Sequence, residues 1–109
     1  LMHRVGPYVC VHAGLHPRRP LDEQDARHLL WIRDPFLDLP IGLWDHHGLV
    51  AVHGHTPGRC EIRAHRIGTD AGAFETGVLA AAELVADRVR FVVAVSPGHD
   101  PQALPPGFR

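Results

Sequence analysis

Leu49-Val50-Ala51-Val52-His53-Gly54-His55-Thr56-Pro57-Gly58 is the stretch on which the fold turns. Its apolar, partly β-branched start predicts a short buried strand. A histidine follows at once, and the Gly- and Pro-rich run behind it predicts a tight turn. The same order occurs earlier: Tyr8-Val9-Cys10-Val11 reads as a strand, His12 follows, and Ala13-Gly14 breaks it. In open α/β sheets ligands bind just beyond the carboxyl ends of the strands. If the two strands are parallel neighbours, both histidine sites face one crevice, and a Gly beside each permits close backbone approach.

The rest of the chain supplies the connections. A helix is expected from Leu21, with Asp22 as N-cap and acidic residues in its first turn. Ala26, Leu29, Leu30 and Arg33 would share one face of it, and Asp34-Pro35 would close it. Residues 38–48 read as loop. Arg66-Ile67-Gly68-Thr69 reads as a third strand, followed by a small-residue loop at Asp70-Ala71-Gly72-Ala73. Two readings stand for 78–95. Val78, Ala82, Val85 and Val89 fit a helix, whereas Phe91-Val92-Val93-Ala94-Val95 is strand-like and Ala86-Asp87-Arg88 fits a hairpin turn. Residues 97–109 are Pro-rich and expected to form a loose tail.

Composition narrows the chemistry. With 109 residues there is material for one small domain. A formal net charge of −1 gives no electrostatic case for nucleic acid or an anionic membrane. All 11 basic residues are Arg, and without Lys there is no Walker-type phosphate loop. Asn is absent and Ser occurs only at position 96, so nucleophilic serine chemistry has little to work with. The 10 histidines make imidazole the main chemical resource. No apolar stretch approaches the roughly 20 residues of a spanning helix. Cys10 and Cys60 form no disulfide framework, so a reducing, cytoplasmic setting is expected, with Cys10 packed as a small hydrophobe. The chain starts at Leu1, and a segment of a longer polypeptide is expected.

On spacing alone, His12 and His55 are either cation ligands or hydrogen-bonded loop histidines. Arg33 either complements the helix dipole and pairs with Asp34, or aims its guanidinium into the crevice to grip phosphate oxygens. Asp45-His46-His47 is either a further metal-binding cluster or a solvated loop. His3, His28, His65 and His99 lack a strand-end context and receive no role.

Read in order, Cys10-Val11-His12-Ala13-Gly14-Leu15-His16-Pro17, Leu29-Leu30-Trp31-Ile32-Arg33-Asp34-Pro35-Phe36-Leu37, Val52-His53-Gly54-His55-Thr56-Pro57 and Arg66-Ile67-Gly68-Thr69-Asp70-Ala71-Gly72-Ala73 resemble the C-terminal half of calcineurin-like metallophosphoesterases. The branch they are most similar to holds bacterial serine/threonine phosphoprotein phosphatases and symmetrical dinucleoside tetraphosphatases, and the likeness covers residues 8–95. The resemblance implies an α/β fold, part of a four-layer αββα sandwich, mostly β with one main helix, over residues 1–96. It implies two antiparallel strands over 78–95. It gives His12 and His55 as ligands of the second metal of a dinuclear site, Arg33 as the phosphate-binding residue, and His53 as at most a supporting residue behind them. Asp70-Ala71-Gly72 departs from the more usual Asp-Thr-Gly.

The family's other motifs, Asp-x-His, Gly-Asp-x-x-Asp-Arg-Gly and Gly-Asn-His-Glu, are not in these residues; there is neither a Gly-Asp dipeptide nor any Asn. The implied function is therefore phosphoester hydrolysis with two divalent metals (Mn, Fe or Zn), on a phosphoprotein, a dinucleoside polyphosphate or a small phosphoester. This chain would carry one half of the site, with the N-terminal half of the same domain as its partner, and would be inactive alone. The alternative is an inactive relic that serves as a binding or scaffold module.

Overall fold

The computed structural model describes residues 1–97. In chain order the elements are β1 (Met2–Val5), β2 (Tyr8–Val11), a 3-10 turn (Leu21–Glu23), α1 (Ala26–Trp31), a 3-10 turn (Ile41–Leu43), β3 (Val50–His53), β4 (Arg66–Gly68), α2 (Ala73–Thr76), β5 (Val78–Val85) and β6 (Arg88–Val95). The result is a small mixed α/β domain, mostly strands, with two short helices. Of the tail expected over 97–109, everything after Pro97 lies outside the described residues.

Four strands form one sheet in the order β1-β2-β3-β4, and β5-β6 form a second. β2, β3 and β4 are parallel, with Cys10 opposite Val52 and Val52 opposite Ile67. Parallel neighbours need a crossover, and the segment between β2 and β3 provides it while burying its own apolar residues. Leu29, Ile32, Phe36, Leu37 and Trp44 pack with Val9, Val11, Ala13, Leu15 and Ala51 into the main core. Gly14 makes the closest approach there: a Cβ would run into the Phe36 ring and lie 2.9 Å from Ile32. A second cluster joins Cys60, Ala71 and Val78 to the inner face of the hairpin, where Ala80, Phe91, Val93 and Val95 alternate with exposed residues.

Several expectations need correction. The helix does not start at Leu21 with Asp22 as cap. Those residues make a 3-10 turn, and the chain is extended at Gln24 before Asp25 caps α1, accepting from the Arg27 N–H at 2.8 Å. The Gln24 amide is committed elsewhere, to the backbone of His16 (2.9 and 3.1 Å) and to the Arg19 carbonyl (2.7 Å). The helix also ends sooner than Asp34, because Ile32 is already extended. Arg33 therefore sits in the loop after α1 and not on its face. Ile32 and Phe36 are buried on either side of it, and the amides of Phe36 and Leu37 both bond the Arg33 carbonyl at 3.0 Å. Cys10 is half-buried rather than packed away; Cys60 is buried, and burial pushes its thiol up to about 12.

Three strands are less legible in the sequence. β1 pairs antiparallel with β2 across a tight turn at Gly6-Pro7, yet all four of its residues are exposed, so no inside-outside alternation marks it. Residues 78–95 form the antiparallel hairpin, with Val85 opposite Arg88. Its turn is Ala86-Asp87, and Ala86 takes φ +53. The Tyr8 hydroxyl donates to the Ala86 carbonyl at 2.8 Å, which ties the hairpin tip to the main sheet. A left-handed conformation costs an L-residue roughly 1–2 kcal/mol, and Gly escapes it. Ala86→Gly is expected to raise stability by about 0.5–1 kcal/mol in urea denaturation; a loss of stability would contradict the turn geometry.

Candidate functional site

The ladder of the main sheet runs past the ends of its parallel strands. The Gly54 amide donates to the His12 carbonyl at 2.9 Å, and the Thr69 amide to the His53 carbonyl at 2.8 Å. The residues following β2, β3 and β4 are thereby held side by side at the carboxyl edge. His12 and His55 meet there, with ring centroids 5.1 Å apart and planes inclined at 58°. Two imidazoles that share one ion at about 2.1 Å from each nitrogen have centroids roughly 5 Å apart.

His55 occupies a strained backbone position. Its φ is +70°, and the Thr56 amide bonds the Gly54 carbonyl at 2.8 Å, closing a γ-turn centred on His55. Such turns are rare, and a non-Gly residue held in this region costs on the order of 1–3 kcal/mol. The ring of Trp31, 70% exposed, stands edge-on to it at 5.6 Å. Desolvation lowers the His55 pKa, and the charges of Arg33 and His12 lower it further; a hydrogen bond to the Trp31 backbone and the charge of Asp70 oppose them. The lowered pKa favours the neutral ring, which has a lone pair to offer. The exposed Arg33 is close enough for its charge to be felt at that ring.

Two cavities meet at His12. One of about 550 Å³ lies over Cys10 and Val52, and one of about 280 Å³ is bounded by His55, Asp70 and Val78. Asp70 spends one carboxylate oxygen on the Gly72 amide at 2.9 Å. Among the described residues no three or more His, Cys, Asp or Glu side chains gather as a metal-binding group. The donor set fits a single borderline cation held by two imidazoles, its other positions open. It does not fit two dications, whose repulsion needs bridging carboxylates.

The remaining histidines are placed otherwise. His53 is 2% exposed: its Nδ1 lies 3.0 Å from the Gly54 carbonyl and its Nε2 3.0 Å from the Arg66 guanidinium, while its ring stands edge-on to Phe36. Asp45, His46 and His47 do not converge. His46 is buried with Nε2 2.9 Å from the His16 carbonyl, and the other two are exposed. His65 is buried against Phe36 and Trp44 with Nε2 on the Phe36 carbonyl at 2.6 Å. His16 and His28 make another close pair at 5.0 Å. However, His16 Nδ1 accepts from the Arg18 amide at 3.2 Å, so its Nε2 carries the hydrogen and is a donor, not a ligand. His99 lies outside the described residues.

Sequence reasoning gave Trp31 and Arg66 no part. A large aromatic on an exposed helix end was a usable signal for the first. Nothing marked Arg66, since a strand arginine ordinarily points to solvent. Comparison with protein-family models, with curated proteins and with solved structures gave no match. No helix among the described residues is long and apolar enough to cross a membrane.

His53 sets a pH dependence. Burial, with a smaller push from Arg66, holds its pKa down at about 4 from an ordinary 6.5, against the opposing bond to Gly54. Below pH 6.5 the unfolded chain takes up a proton that the folded chain refuses. Stability is therefore full above about pH 6.5 and falls on acidification toward about pH 4, by an amount on the order of 3 kcal/mol. Urea denaturation across that range is expected to show the slope, and His53→Phe to reduce it; His16, His55 and His65, lowered in the same direction, keep part of it.

Proposed function

We propose that this chain forms one half of a metallophosphoesterase site, the half that holds the second divalent cation and the substrate phosphate. The observation that carries the reading is the approach of His12 and His55 to 5.1 Å at the carboxyl edge of three parallel strands, with the Arg33 charge felt at His55. The ordered resemblance of four segments to the calcineurin-like family supports it. In this reading the finer architecture is the C-terminal part of the family's four-layer sandwich, and the reaction is phosphoester hydrolysis.

His12 and His55 would hold the cation (Mn, Fe or Zn) as neutral nitrogen ligands, and the γ-turn presents the second ring without a swing of the side chain. Arg33 would receive the phosphate, since a planar guanidinium matches two phosphate oxygens and offsets charge as the ester breaks. Bound with its companion, the cation would supply Lewis acidity and a water acidic enough to react near neutral pH. These residues bring no carboxylate for that companion, so the complementary ligands come from elsewhere, in the resemblance from the N-terminal half of the same domain. The alternative is a catalytically inactive fragment or relic that serves as a binding or scaffold module.

Calorimetric titration with Zn²⁺ or Mn²⁺ is expected to show one weak site that His55→Ala removes. Arg33→Ala should leave that affinity within about twofold but abolish the gain in cation binding that inorganic phosphate confers on the unaltered chain. The 109-residue chain is expected to have little or no activity on an aryl phosphate. Robust turnover abolished by His55→Ala would refute the half-site reading.

A further inference from the structure

The atoms that hold His55 in its strained conformation lead away from the rim into the core. The Gly54 carbonyl accepts from the Thr56 amide at 2.8 Å, closing the γ-turn, and it also lies 3.0 Å from His53 Nδ1. That second contact has two possible signs. A neutral imidazole carries one hydrogen, on either nitrogen. With the hydrogen on Nδ1 the contact is a bond; with it on Nε2 two lone pairs face each other and the carbonyl is pushed away.

Arg66 removes the choice. Its guanidinium has donors only, it is 0% exposed, and its Nη1 lies 3.0 Å from His53 Nε2. Nε2 must therefore accept, which leaves the hydrogen on Nδ1. Arg66 has no freedom to turn away. Its Nε donates to the Leu37 carbonyl at 2.8 Å, and its Nη2 is paired with Glu61. Gly68 makes room for it, since a Cβ there would lie 3.2 Å from Nη1 and collide with the Arg59 carbonyl.

We propose that His53 is the positioning residue for His55: Arg66 fixes its tautomer as Nδ1–H, and that hydrogen pins the Gly54 carbonyl and, with it, the γ-turn that carries the His55 ring to His12. The purpose rests on reading His12 and His55 as a cation pair; the geometry is measurable with no cation present.

Nitrogen-15 NMR of the cation-free protein is expected to show His53 protonated at Nδ1 and bare at Nε2, together with a ring-to-ring NOE between His12 and His55. An Nε2–H tautomer overturns the proposal. His53→Phe keeps a ring against Phe36 but loses both hydrogen bonds. It is expected to lose the NOE with far-UV circular dichroism unchanged, and to bind Zn²⁺ roughly tenfold more weakly. His53→Asn, which returns an N–H to the place of Nδ1–H, is expected to regain both. An NOE that survives in His53→Phe overturns the proposal, and so does a loss that Asn does not rescue, because ring packing would then be the cause. If His53→Phe does not fold, His53→Gln replaces it, with an oxygen for Arg66 and no N–H at the place of Nδ1; an undisturbed NOE there counts against the proposal equally. Zn²⁺ that fails to bind while tautomer and NOE are as expected defeats the cation-pair reading and leaves the positioning role standing.

Discussion

The backbone ladder that continues past the ends of β2, β3 and β4 is the constraint on which the rest depends. Parallel strands finish on the same side of a sheet, so whatever follows them is collected along one edge. Here the bonds from Gly54 to His12 and from Thr69 to His53 carry the register one residue beyond the strands themselves. Backbone bonds are indifferent to side chains, and they fix where the histidines stand but not which way their rings turn. The direction comes from the γ-turn at His55, and its strain is tolerable because both neighbouring peptides are already tied.

Charge at this edge is lopsided. Arg33 adds its charge at the His55 imidazole, and the nearby carboxylate, Asp70, is partly used by the Gly72 amide. Such a rim offers lone pairs to a cation while its potential favours an anion. Cation and phosphate together satisfy it better than a cation alone. Behind the rim, Arg66 carries a fully buried charge. An ion taken out of water costs several kcal/mol unless its donors are met. Leu37, His53 and Glu61 meet them from three separate segments. The same side chain that must be satisfied thereby cross-links the crossover loop, β3 and the approach to β4.

The sequence was readable where local chemistry and burial agree. The apolar runs at 8–11 and 50–52 are strands because their core-facing side chains are buried and their backbones pair in parallel, Tyr8 with Val50 and Cys10 with Val52. It was misleading where two local signals compete. Asp22 and Asp25 are equally good caps, and the Gln24 amide, engaged with His16 and Arg19, decides for the later one. The alanines of 80–82 favour a helix, and the turn Ala86-Asp87 lacks the Gly that usually announces a hairpin. Only the second cluster, closed by Phe91 and Val93 over Val78, tips that segment to strands.

By itself the sequence determined the three parallel strands, the histidines at the ends of two of them, and a chemistry in which imidazole is the main resource, without Lys or Asn. Those follow from side-chain type and spacing, which act over a few residues. Tertiary structure decided which of the 10 histidines face each other, which are spent on carbonyls, that Arg33 leaves the helix, and that Arg66 lies inside. A ring's partner and the nitrogen that holds its proton depend on atoms brought up from distant segments, and only strand pairing and burial bring them together.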